Sequence, residues 1–245
     1  MRYLIKFSYD GSNYSGFQKQ KGLETIEEKL EKALTKVNNK ETKITATGRT
    51  DKGVHALCQY GHADIDVDIN EKKLKRALNS NLPDDIYVID TKEVKDDFHA
   101  RYDVKSKTYK YIINTGEYNP IERNYVFQYN YNLDLDKMKE GIKYFLGEHD
   151  FRAFVTDNKS KENCVRKITK ATIKKDKEKL IISFTGNGFM RYQVRNMVGI
   201  LIKVGEGKLN PSEIKRIIES KDRTKSGKTA PAEGLYLVEV RYKTV

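Results

Sequence analysis

Cysteine is scarce: the 245 residues hold two, Cys58 and Cys164, with no Cys-x-x-Cys spacing. A disulfide framework is thereby excluded, and a reducing compartment, the cytoplasm, is the expected location. His55, Cys58 and His62 are close in sequence, but on an alternating strand His55 and Cys58 face opposite ways, so a shared metal is not expected. No apolar run approaches the roughly 18 residues of a membrane span, and the N-terminus opens on a strand pattern, with no signal-peptide profile. Coenzyme signatures are missing as well. Gly205-Glu206-Gly207-Lys208 runs into Leu209, where a phosphate-binding loop needs Ser or Thr for magnesium. Gly186-Asn187-Gly188 is too short for a dinucleotide fingerprint, and no serine nucleophile elbow is present. Cofactor-dependent chemistry has no support, and no cofactor is expected.

Positive charge is in surplus: 47 Lys and Arg against 35 Asp and Glu, a net +12. Such a balance favours a polyanionic partner, most simply nucleic acid; a compositional bias toward lysine is the alternative. Lysine-rich stretches recur at 159–170, 174–179 and 221–228, and the last, polar and containing Ser226-Gly227, is expected to be mobile.

Periodicity predicts an α+β fold with antiparallel pairing and helices on one face. Arg2–Tyr9 alternates as a half-buried strand, and Thr25 with Glu28 opens an amphipathic helix running to Val37. Short strands follow at 43–47 and 54–63, then a helix capped by Asn70 and a strand over 86–94. A second unit is expected from residue 103, dividing the chain into 1–102 and 103–245. It holds strands at 106–114, 125–131, 167–174 and 180–185, a helix over 133–146, an apolar helix over 188–204, another from Asn210-Pro211, and a closing strand over 235–242. No internal repeat is visible.

Between the strands at 43–47 and 54–63 lies Gly48-Arg49-Thr50-Asp51-Lys52-Gly53. Asp-x-Gly between β-branched runs is a turn signal, and Asp51 has two readings there. It is a turn former, or it is an ionised carboxylate displayed at a loop tip between Arg49 and Lys52, suited to act as a nucleophile and not as a general acid. The loop Asp10–Lys21 carries Tyr14, Phe17, Lys19 and Lys21; it is either an ordinary flexible loop or exposed rings and lysines suited to bases and phosphates. Arg191 and Arg195, four apart in an apolar helical pattern, need an anionic partner: a structural acid, or Asp51 itself. Tyr109 and Tyr111 share one strand face, where core packing competes with stacking on a base turned out of RNA.

Gly-Arg-Thr-Asp-x-Gly-Val-His-Ala over residues 48–56 resembles the signature of the bacterial tRNA pseudouridine synthase A family. Phe98-His99-Ala100-Arg101, Tyr109-Lys110-Tyr111, Gly147–Phe151, Val194–Gly199 and Ala230-Pro231 with Gly234–Leu237 are similar to the same family, in its order, from about residue 3 to about residue 242. The resemblance implies two α/β subdomains whose mostly antiparallel strands form a continuous mixed sheet, with helices on one side and a cleft between the subdomains. It implies isomerisation of uridine to pseudouridine at positions 38, 39 and 40 in the anticodon stem-loop of tRNA, without cofactor, by a homodimer. Asp51 then matches the essential carboxylate, Arg49 the residue that fills the space of the flipped base, Arg195 the carboxylate's partner, and Tyr109 the stacking ring. Lys52 stands where a small residue is usual, and Arg191 lies in a variable segment. A non-catalytic RNA-binding module would gain nothing from a lone carboxylate that repels phosphate. A hydrolase would need a second acid, and none is evident nearby.

Overall fold

A computed structural model describes residues 1–156 and 163–243. Lys159 and Lys161 of the first lysine-rich stretch lie outside the described residues. Ten strands of a mixed sheet and five α-helices are present among the described residues, and the fold is α+β. The chain divides into two compact units: Met1–Lys105 with the residues from Leu237 onward, and Ser106–Tyr236. The residues from Leu237 onward thus belong to the first unit, whereas the expected division at residue 103 assigns them to the second.

In the first unit the elements are β1 (Arg2–Tyr9), α1 (Ile26–Asn38), β2 (Thr45–Ala46), β3 (His55–Asp64), α2 (Glu71–Asn79) and β4 (Ile86–Val94). β1 is central, antiparallel to β3 on one side and β4 on the other, with Tyr9 opposite both Ala56 and Ile86. β2 pairs with β3 through Thr45 and His62. The 43–47 strand of the sequence reading is thus only two residues long. α1 starts as predicted, because the Thr25 hydroxyl accepts from the Glu28 amide. It buries Ile26, Leu30, Ala33 and Leu34, each worth roughly 1.5–3 kcal/mol for the larger side chains. α2 is capped by Asn70, and Asn79 ties its end to β4 by exchanging two hydrogen bonds with the Val88 backbone.

In the second unit come β5 (Val104–Asn114), β6 (Phe127–Gln128), α3 (Leu135–Gly141), β7 (Gly147–Asp150), β8 (Val165–Asp176), β9 (Lys179–Gly186), α4 (Gln193–Gly205) and α5 (Glu213–Ser220). β10 (Leu235–Tyr242) closes the chain. Strand order is β5-β9-β8-β7, with β6 parallel to β5. α4 buries Val194, Met197, Val198 and Leu201. It begins at Gln193 and not near Gly188, because Tyr192 takes a left-handed conformation (φ 62°) and the Gln193 side chain turns back to accept from the Met190 amide. Arg191 therefore lies outside the helix, and the predicted i, i+4 pair with Arg195 on one helical face is not formed. The two arginines instead both lie over the Tyr192 ring, at 5.0 and 5.2 Å from its centre.

Candidate active site

Asp51 sits in a β-turn held by contacts from β1, β3 and the loop that follows β1. The Val54 amide donates to the Asp51 carbonyl (3.2 Å), and Gly53 adopts φ 78°, the left-handed region that a type II turn assigns to glycine. Upstream, Thr47 donates its amide to the Tyr60 carbonyl, and buried Gln59 donates from its side-chain nitrogen to the Gly48 carbonyl at 2.9 Å. Thr50 lies 2.8 Å from the Tyr9 hydroxyl. Downstream, a Cβ on Gly11 would meet the Val54 carbonyl oxygen at 2.0 Å, so only glycine lets these two backbones approach. The Gly11 amide and the Asp10 carboxylate each lie 3.1 Å from Nδ1 of buried His55. Asp51 is half-buried, whereas Arg49 and Lys52 are exposed on either side of it. One carboxylate on a rigid tip between two cations can be held charged and aimed.

The loop beside it departs from expectation. Tyr14 and Phe17 are not exposed: they retain 3% and 1% of their surface. Gly16 (φ 96°) turns the chain inward, the Phe17 amide donates to the Thr50 carbonyl, and the Phe17 ring stacks near Phe7 at 6.3 Å. The Tyr14 hydroxyl donates to Asp85, and burial, then that bond, raises its pKa. Both rings belong to the core beneath the Asp51 turn and present no face to a base. Lys19 is exposed but paired with Glu31 at 3.1 Å. The polar composition of this segment concealed a loop that folds back on the sheet, and Gln59 was missed because nothing local marks a clamp 11 residues downstream of its acceptor.

The remaining candidates lie in the second unit. Tyr109 is 9% exposed, opposite Phe184 in the β5–β9 ladder, with the Phe189 ring edge-on at 5.2 Å. Tyr111 is fully buried and donates its hydroxyl to the Pro231 carbonyl. Burial raises its pKa well above the ordinary tyrosine value, opposed in part by Arg195. The Arg195 Nε donates to the Ala230 carbonyl at 2.7 Å, and its own carbonyl accepts from the Ala230 amide. Ala230 belongs to a segment moored by Arg223, whose guanidinium donates to Ser226, Gly227, Asn196 and Thr229. Residues 221–228, expected to be mobile, therefore hold a hydrogen-bonded 3₁₀ turn, Arg223–Ser226, braced by the half-buried Arg223.

A family profile described as tRNA pseudouridine synthase matches residues 5–103 and 142–243. The chain belongs to this family. Similar proteins named tRNA pseudouridine synthase A include that of Streptococcus mutans, 45% identical over 246 residues with 99% of each chain covered. Those of Thermoanaerobacter sp. (44%, 98% of each chain) and Limosilactobacillus fermentum (43%, 98% of this chain and 96% of the relative) are comparable. Membership gives the Asp51 turn a chemical context that its geometry alone does not: an isomerase acting on uridine in tRNA.

Proposed function

We propose that this chain isomerises uridine to pseudouridine at positions 38, 39 and 40 in the anticodon stem-loop of tRNA, with Asp51 as the essential carboxylate. The observation that carries the reading is the pinned Asp51 turn, flanked by Arg49 and Lys52, in a member of the tRNA pseudouridine synthase family. The reaction breaks the N1–C1′ bond, turns the uracil, and joins C5 to C1′. The proton leaving C5 is balanced by the one N1 gains, so nothing is oxidised and nothing added. Asp51 acts by attack at C1′, by attack at C6, or by taking the 2′ proton; all three need it ionised.

The roles of Arg195, Arg49 and Tyr109 are those that the family resemblance implies, while Lys52 departs from the family pattern. Arg195 holds the Asp51 carboxylate charged. Arg49 occupies the place of the everted nucleotide, and Lys52 meets a phosphate. Tyr109, braced by Phe189, stacks on the uracil. Unstacking a nucleotide costs a few kcal/mol, which stacking at roughly 1–3 kcal/mol per base and phosphate contacts offset. The enzyme works as a cytoplasmic homodimer on tRNA. Incubating unmodified tRNA with the protein and mapping pseudouridine by position tests the reading: signal at 38–40 supports it, and an unchanged tRNA refutes it.

A further inference from the structure

The segment Phe98–Asp103 is a second built feature of the first unit that the proposed chemistry leaves unused. It is a tight turn: the amides of Tyr102 and Asp103 both donate to the His99 carbonyl, and the His99 amide donates to the Asp103 carboxylate at 2.7 Å. It is also tied down from outside. Buried His62 accepts from the Ala100 amide, Arg2 donates to the Phe98 carbonyl, and the Tyr242 hydroxyl donates to the Ala100 carbonyl. Tyr242 in turn lies 2.8 Å from Thr47, two residues before Arg49, so the turn and the entry to the Asp51 loop share one anchor.

What this scaffold displays is an aromatic ring. Tyr102 is 69% exposed, although a ring so placed recovers little hydrophobic stabilisation. The His99 ring backs it at 4.2 Å, and the exposed Arg101 guanidinium lies 5.9 Å from its centre. His99 is itself held edge-on by His62 at 5.0 Å. A rigid, backed, exposed ring beside a guanidinium is a stacking platform for a planar ligand, and a base of either strand type offers a π-face to it. The charges on this segment, on the residues just before it and on Arg2, which ties it, are mixed: Arg2, Lys95 and Arg101 against Asp64, Asp96, Asp97 and Asp103. Recognition here would rest on the ring more than on phosphate attraction.

We propose that Tyr102, with Arg101 beside it, is an RNA contact distinct from the target-uridine site, on which an unpaired base of the tRNA stacks. This rests on the reading of the chain as a tRNA-modifying enzyme. The test is the affinity of Tyr102→Ala, Tyr102→Phe and Arg101→Gln for unmodified full-length tRNA, with turnover and sedimentation measured alongside. Tyr102→Ala weakens binding about tenfold, the deficit persists as salt is raised, and Tyr102→Phe stays within about twofold of wild type. Arg101→Gln weakens binding in the same direction by less. The inference is overturned if Tyr102→Ala binds like wild type, if its deficit vanishes at high salt, or if it instead changes the oligomeric state, which would make the ring's partner a second copy. A wild-type protein that forms no pseudouridine refutes the functional reading itself; an active wild type with an indifferent Tyr102 refutes only this contact.

Discussion

Gly11 illustrates how narrowly single positions constrain the Asp51 turn. A methyl group there would sit 2.0 Å from the Val54 oxygen and 2.7 Å from its carbonyl carbon, both backbone atoms that no rotamer change can move aside. Gly11→Ala should therefore lower stability by about 1–3 kcal/mol or more, read as a lower urea midpoint at unchanged m-value. It should also reduce turnover, because Val54 is hydrogen-bonded to Asp51. His62 makes a prediction of opposite character. Burial, then Arg2, then His99 depress its pKa from 6.5 to about 4. The unfolded chain binds that proton more readily, so the stability it contributes is complete above about pH 6.5 and is lost as pH falls toward 4. Between those limits this one group adds a slope of up to about 1.4 kcal/mol per pH unit. His62→Asn, whose side-chain oxygen takes the place of Nδ1 and still accepts from the Ala100 amide, should flatten urea-derived stability between pH 6.5 and 5 relative to wild type; an equal slope in both proteins would contradict the assignment. Under the stacking role proposed for it, Tyr109→Phe should retain most activity, since the substitution keeps the ring and removes only the hydroxyl; complete loss would show that stacking alone is not its role.

Among the elements, α4 and the segment that follows α5 depend on each other. Gly199 admits the Lys228 carbonyl, which a Cβ would meet at 2.0 Å, and Arg223 then joins Asn196, Thr229 and the Gly227 carbonyl. Asn196 continues the chain of contacts to the Phe154 carbonyl. Arg223→Ala strands these acceptors and should cost about 2–3 kcal/mol. Arg223→Lys should recover little, because an ammonium lacks the planar fork that reaches four acceptors. Calorimetry of both variants, with pseudouridine formation as second readout, checks this. The same elements show what a sequence can reveal. α1 and α2 were legible because their caps, Thr25 and Asn70, and their apolar spacing are local signals. So was the Asp51 turn, set by Gly53. The start of α4 was not, since a left-handed Tyr192 has no sequence signature. The order in residues 221–228 was hidden because a single arginine imposes it through partners up to 27 residues away. Tyr14 and Phe17 were misplaced for the reason that a polar loop gives no sign of which sheet it folds onto.

At the level of the whole molecule the surplus of +12 is the dominant property. Binding of tRNA should weaken by roughly 0.7–0.9 log units per log unit of salt for each phosphate contacted, and a flat salt response would remove nucleic acid as the partner that this charge serves. The steepness should survive Asp51→Ala, because losing a negative charge does not weaken phosphate attraction. The measurement that bears most directly on the central claim is therefore a paired one on wild type and Asp51→Ala: position-resolved pseudouridine in unmodified tRNA, with tRNA affinity determined on the same samples. The account predicts modification at positions 38–40 by the wild type, none by the variant, and similar affinity in both. Modification by the variant at a rate near wild type would contradict it.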